Sequence, residues 1–124
     1  MKYKNQKVFN LINQIKTEVV NNGKDMYIYI ASILCGDNYE DLEEDYSNND
    51  SYVIKYVNAI RGISRGDDSY LDFPVVVVGG AITTVSQRIE ELFSIEDKNG
   101  CIESSSIFRY LFGYLEMMKL KKLK

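Results

Sequence analysis

The chain contains no histidine. That removes the commonest general base near neutral pH, and with it the Ser-His and Cys-His nucleophile pairs. Proline is nearly absent too: Pro74 is the only one in 124 residues, so long helices are forbidden nowhere except around it. Cysteine is limited to Cys35 and Cys101. Two thiols are too few for a secreted disulfide scaffold, they lack CxxC spacing, and without histidine they do not complete a zinc site. The expectation is two free thiols in a reducing cytoplasm, with a single Cys35–Cys101 disulfide as the alternative. The most apolar stretch, Phe73 to Val85, is too short for a bilayer, which takes about 20 residues. Behind the basic start, Met1 to Lys7, the next residues are interrupted by Asn10, Asn13, Gln14, Lys16 and Glu18, which is not the core of a secretory signal. A cytoplasmic protein with no membrane partner is expected. The glycines form neither GxxxxGK[ST] nor GxGxxG, so no phosphate-cradling loop is expected.

The most informative absence is local. Between Cys35 and Tyr52 there is no base, while seven acids crowd the same segment: Asp37, Glu40, Asp41, Glu43, Glu44, Asp45 and Asp50. The formal charge of the whole chain is only −3, so the remainder is net positive. A block of one sign is a long-range field that selects partners of the opposite sign. Tyr39, Tyr46 and Tyr52 lie among the acids. Tyrosine is large, stiff and amphipathic, and is enriched at interface hot spots. These ten residues are the candidate partner-binding set. Two plainer readings stand beside it: the acids only solvate a helix face, and Tyr39 and Tyr46 only anchor that helix to the core.

Length and composition bound the rest. At 124 residues, 45% hydrophobic and 27% charged, the chain reads as one soluble domain, 1–124, with a core that needs no staples. Val8, Leu11, Ile12, Ile15 and Val19 share a helical face over Lys7 to Asn22, closed by Gly23. Asp25 is placed to cap a second helix through Ile30, Ile33 and Leu34 up to Gly36. The Tyr27-Ile28-Tyr29-Ile30 alternation suits a strand less well, since no partner strand is evident. Asp37 and Glu40 read as a capping box for a short acidic helix to about Tyr46, with Leu42 as its only aliphatic residue. Ser51 is expected to cap a helix over Ser51 to Arg61 that buries Val53, Val57 and Ile60, with Gly62 and Gly66 bracketing its end. Val75, Val78, Ile82, Val85, Ile89 and Leu92 alternate spacings of three and four, a helical seam running across Gly79-Gly80 and including the helix Ala81 to Ser94. A strand over Val75–Val78 followed by a turn is the alternative. Asp97 to Gly100 reads as a loop. Ser104 to Ser106 cap a last helix, Ser106 to Lys119, before Lys121, Lys122 and Lys124. The expected fold is all-α: an irregular bundle of five or six helices.

Chemistry is constrained further. Carboxylate-only glycosidase chemistry needs two acids across a defined cleft, and these acids lie in one run. Asp37-Asn38-Tyr39-Glu40-Asp41 begins like a calcium loop, but Glu43 replaces the central glycine and no terminal glutamate follows. No enzyme activity, metal or cofactor is expected. Direct nucleic-acid binding is disfavoured, since the bases are dispersed.

On its acidic segment from Asp37 to Tyr52, its tyrosines and its lack of a catalytic set, the chain resembles the small immunity proteins of polymorphic bacterial toxins, including those of contact-dependent growth inhibition. That resemblance implies a non-catalytic inhibitor that docks its acidic surface on a basic nuclease toxin domain. Phage-encoded nucleic-acid mimics of the anti-CRISPR or anti-restriction kind look similar on the same grounds. A third reading is a self-associating adaptor, a homodimer built on the helical seam with its flat spot at Gly79-Gly80-Ala81.

Overall fold

Asp25 accepts hydrogen bonds on its carboxylate from the N–H groups of Tyr27 and Ile28, at 2.9 and 3.0 Å, and so opens α2, Met26–Cys35. Gly36 closes it in the left-handed conformation, at φ 74°. Eight of the ten α2 residues are buried. A helix apolar on all sides belongs at the centre of a fold, and α2 takes that position.

The computed structural model describes residues 2–123, with only the backbone at Lys2, Tyr3, Lys4 and Cys101. Chain order is α1 (Lys2–Lys16), a π-helical turn (Thr17–Asn21), α2, α3 (Tyr39–Ser47), α4 (Ser51–Ser64) and a 3₁₀ turn (Asp68–Tyr70). A first hairpin follows, β1 (Pro74–Val76) and β2 (Ile82–Thr84), then α5 (Val85–Phe93), a second hairpin of β3 (Ile95–Asp97) and β4 (Gly100–Ile102), and α6 (Ser104–Leu123). The fold is an all-α bundle carrying two short antiparallel hairpins. α2 packs against α3, α4 and α5, and α6 packs against α4 and α5. One cluster of buried residues runs through all of these, with Ile30, Tyr56, Ile60, Phe93, Phe108 and Leu115 fully inside. Phe108 meets Phe93 and Phe112 edge to face, at centroid distances of 5.3 and 5.1 Å, the arrangement aromatic quadrupoles favour. Among the described residues no helix is long and apolar enough to cross a membrane.

The helical seam across residues 75–84 is wrong. Val75, Val85 and Ile89 are buried as a seam requires, but Val78 and Ile82 are 62% and 72% exposed. Gly79 and Gly80 stand at φ 104° and 94°, a region only glycine visits freely, and two such residues in succession turn the chain back. The N–H of Val77 donates to Ala81 O at 2.8 Å, and β1 pairs with β2 with Val75 opposite Thr83 and Val76 opposite Ile82. The chain adopts the strand alternative, over Pro74–Val76 with Val78 already in the turn, and Ala81 to Thr84 leave the expected helix, which begins only at Val85. The flat helical spot at Gly79-Gly80-Ala81 therefore does not exist, nor does the dimer seam built on it.

Other boundaries move less. The first and last helices extend beyond Lys7 and Lys119, and the loop Asp97 to Gly100 is the turn of the second hairpin. Asn38, not Asp37, caps α3, accepting from Glu40 N–H at 2.9 Å. Asp50, not Ser51, caps α4, accepting from Val53 N–H at 3.0 Å. Gly62 lies inside α4, where a Cβ would come within 2.5 Å of the Tyr70 ring. The lysines near the C-terminus do more than oppose their own helix dipole: Lys122 Nζ donates to Val20 O and Asn21 O, at 2.8 and 3.1 Å, closing the open carbonyl end of the π-helical turn. Lys124 lies outside the described residues.

Core and surface of α6 give a direct test. Phe108→Ala should lower unfolding free energy by about 3–5 kcal/mol in urea titration, because Phe108 is fully buried between two rings. Tyr110→Ala, at a position 73% exposed, should stay within about 0.5 kcal/mol.

Candidate functional site

α3 places its residues by helical geometry. Tyr39, Leu42 and Tyr46 recur at intervals of three and four, so they share one face, and that face turns inward. Tyr39 and Leu42 are buried and Tyr46 is half-buried against the core. Glu40, Asp41, Glu44 and Asp45 lie on the opposite, exposed face. Among the described residues Lys24 is the one cation within salt-bridge distance of these acids, reaching Glu40 at 3.7 Å. Lys24 is held more tightly by Glu18 at 3.1 Å, whose carboxyl is lowered first by the Asn22 hydrogen bond and then by Lys24 itself. No side-chain partner within the chain engages Asp41, Glu44 or Asp45 among the described residues.

The remaining residues of the candidate set are structural to different degrees. The Tyr39 hydroxyl accepts from Asp25 N–H at 3.0 Å and donates to Glu43 Oε2 at 2.8 Å. It ties α3 to the start of α2 and holds the Glu43 carboxylate at the rim. Burial raises the Tyr39 phenol to about 12, against the lowering effect of the Asp25 N–H bond and with a smaller upward push from the Glu43 carboxylate. Asp37 is exposed and accepts from Asn38 N–H at 2.8 Å. Asp50 is exposed and is used as the α4 cap. Tyr52 stacks on Tyr56 and Phe73, at 5.8 and 6.0 Å between centroids. Its hydroxyl donates to Pro74 O at 3.1 Å and accepts from Val76 N–H at 2.9 Å, bracing the outer edge of β1. Tyr39, Tyr46 and Tyr52 thus all pack on this fold, Tyr39 buried and Tyr46 and Tyr52 partly exposed. Their company with the acids, which made the segment look like an interface, has a structural cause.

Two features escape a reading of the sequence alone. The outer face of the first hairpin is apolar: Pro74, Val76, Val78 and Ile82 point to solvent while Val75 is buried. The signal was the alternation from Pro74 to Val78, hidden by the competing helical spacing. A cleft of about 450 Å³ lies between α5 and the start of α6, lined by Ser86, Glu90, Ser94, Glu103, Ser104 and Ser105 with apolar neighbours. It holds hydroxyls and two exposed carboxylates, and Ser105 already donates to Glu103 at 2.8 Å. Cys35 is buried, and that burial raises its thiol away from the reactive thiolate. The Cys101 side chain lies outside the described residues. Among the described residues no three acids or cysteines converge to hold a metal ion. No protein-family model, curated protein or solved structure matches the chain.

The Tyr39 arrangement has a pH signature. The fold holds the neutral phenol, so this contribution is complete below the free tyrosine value of 10.0 and is lost as pH rises toward about 12. Tyr39→Phe should cost about 1–2 kcal/mol at neutral pH, through the lost hydrogen bonds. It should also make the fall in stability between pH 10 and 12 shallower than in wild type. Thermal melts followed by circular dichroism across that range read both effects, and equal slopes would show that the Tyr39 hydroxyl is not a structural anchor.

Proposed function

We propose that this chain is a non-catalytic, cytoplasmic inhibitor that docks on a basic protein, the nuclease toxin domain of a polymorphic toxin, through the exposed face of α3. The observation that carries the reading is the uncompensated charge of that face. Asp41, Glu44 and Asp45 project together into solvent without a cation from the rest of the chain among the described residues, although the remainder carries a net positive charge. A nuclease must present a basic cleft to hold a phosphate backbone. A row of carboxylates on a helix satisfies such a cleft with the same sign of charge, and occupying it excludes the nucleic acid. Exposed ion pairs contribute little affinity each, about 0–1 kcal/mol. Their main effect is to steer encounter and reject acidic partners.

The structure dictates which acids can be altered without confusing binding with folding. Glu43 holds the Tyr39 hydroxyl and Asp50 caps α4, so both are left in place. Asp41→Lys, Glu44→Lys and Asp45→Lys together should leave the melting profile nearly unchanged, since exposed positions shift stability by about 0.5 kcal/mol or less. Immobilised wild-type chain should capture a basic protein from an extract of the source organism at low salt and release it as salt rises. The wild-type chain should then block that protein's nuclease activity at a one-to-one ratio. The triple variant should associate about 10- to 100-fold more slowly by surface plasmon resonance. Equal on-rates at low salt would return the acids to a solvating role.

A further inference from the structure

We infer that the outer face of the β1–β2 hairpin is the apolar centre of this docking surface, and that its occupant is a basic protein presenting an apolar pocket inside a basic rim. The inference rests on the docking reading of α3. Val76, Val78 and Ile82 are 46%, 62% and 72% exposed, whereas the adjacent Val75 is fully buried. Val76 and Ile82 face each other directly across the hairpin. The Val77 N–H to Ala81 O bond fixes the alternation, so Val76 and Ile82 form a non-hydrogen-bonded pair whose side chains stand close on one face. The Val76–Ile82 pair steadies the hairpin by only about 0.2–1 kcal/mol, while the three β-branched aliphatics leave a contiguous apolar surface open to water, and surface of this kind marks contact sites.

The face is also rigid. Tyr52 holds β1 through Pro74 O and Val76 N–H, and Cys35 O accepts from Val78 N–H at 3.0 Å. A braced apolar knob loses little conformational freedom on binding, which is what a hot spot requires.

Charge identifies the occupant. Asp37 is two residues beyond Cys35, and Asp50 is two residues before Tyr52. Both are exposed. Two Cα steps span at most about 7.6 Å, so Asp37 stands near the Cys35–Val78 hydrogen bond at the hairpin turn, and Asp50 lies behind the Tyr52 side chain that braces β1, with α3 connecting the two acids. The pattern is an apolar centre with an acidic rim. A second copy docked through the hairpin would bring its own Asp37 and Asp50 to the same interface, adding like charge and no cation to answer it. Three aliphatic side chains also fall well short of the roughly 800 Å² per partner of a stable interface. A basic partner removes both objections, because it adds the α3 acids to the contact.

Site-specific photocrosslinking tests this. Benzoylphenylalanine is placed in the full chain at position 78, at position 44 on α3, and at position 98 in the exposed β3–β4 turn as a control. Each is irradiated in extract of the source organism, and adducts are identified by mass spectrometry. The expected result is one basic protein joined at both 78 and 44 and not at 98. With that protein purified, Val78→Ser plus Ile82→Ser should weaken binding about 10- to 100-fold, mainly through a faster off-rate, with an unchanged melting profile. An adduct at 44 but not at 78, or wild-type affinity in the serine variant, overturns the hairpin assignment and leaves α3 docking standing. An adduct of the chain with itself at 78 shows a second copy as occupant and overturns it. An adduct at 78 with a protein that is not basic overturns it as well. Absence of adducts at both 78 and 44 removes the hairpin and the α3 docking surface together.

Discussion

The carbonyl end of α2 is the constraint around which this fold is arranged. A helix leaves its last carbonyls without intrahelical partners, and burying them unpaired costs free energy. α2 sits at the centre of the core, so water cannot serve them all. Ser32 O takes the N–H groups of Gly36 and Asp37. Leu34 O takes Arg88 Nε from α5 at 2.6 Å. Cys35 O takes Val78 N–H from the hairpin turn. One turn earlier, Ala31 O accepts the Tyr56 hydroxyl from α4 at 2.7 Å. Three distant pieces of chain are thereby fixed to one point. The hairpin has to lie against α2 because its backbone completes that end, and its outer face must then look outward beside the first acid of the run.

The same economy divides the acidic segment. Its tyrosines serve the interior: Tyr39 fastens α3 to the start of α2, and Tyr52 holds the hairpin edge. Two of its acids are also occupied, Glu43 by Tyr39 and Asp50 by the first turn of α4. Asp41, Glu44 and Asp45 have no such task. A run that looks uniform in sequence is therefore divided in space between acids that have a structural partner and acids that have none among the described residues.

How much of this could be read in advance follows from how local each signal is. α2 and α4 were legible because their apolar patterns and terminal glycines lie within a few residues. The caps of α3 and α4 were misplaced by one residue, since Asp37-Asn38 and Asp50-Ser51 each offer two competent side chains and only the backbone decides between them. The inward turn of Tyr39, Leu42 and Tyr46 was present as helical spacing, but the surrounding charge drew attention from it. The first hairpin was obscured by a real coincidence: Val75, Val85 and Ile89 are buried by two different elements that happen to keep helical intervals. β3 and β4 have three residues each, too few to show a period. They are positioned by Asn5, whose side chain accepts from Glu96 N–H at 2.9 Å and donates back to Glu96 O. A clamp spanning 91 residues leaves no trace in any local window.

The energetics of α3 bear on why its charges are there at all. Glu40 and Glu44, and Asp41 and Asp45, are like charges at i,i+4, each pair unfavourable by about 0.2–0.5 kcal/mol. Glu40 and Asp41 suit the positive end of the helix, but Glu44 and Asp45 lie toward the negative end, where no base is present in the last turn. Solubility alone would be served as well by acids interspersed with lysines, which would turn these repulsions into attractions. The helix instead depends on Tyr39 and Leu42 to hold a face that is mildly unfavourable in the free chain. Charge that strains the free protein and is relieved by an opposite charge from outside is the arrangement expected of a docking surface, because the relief itself adds to binding.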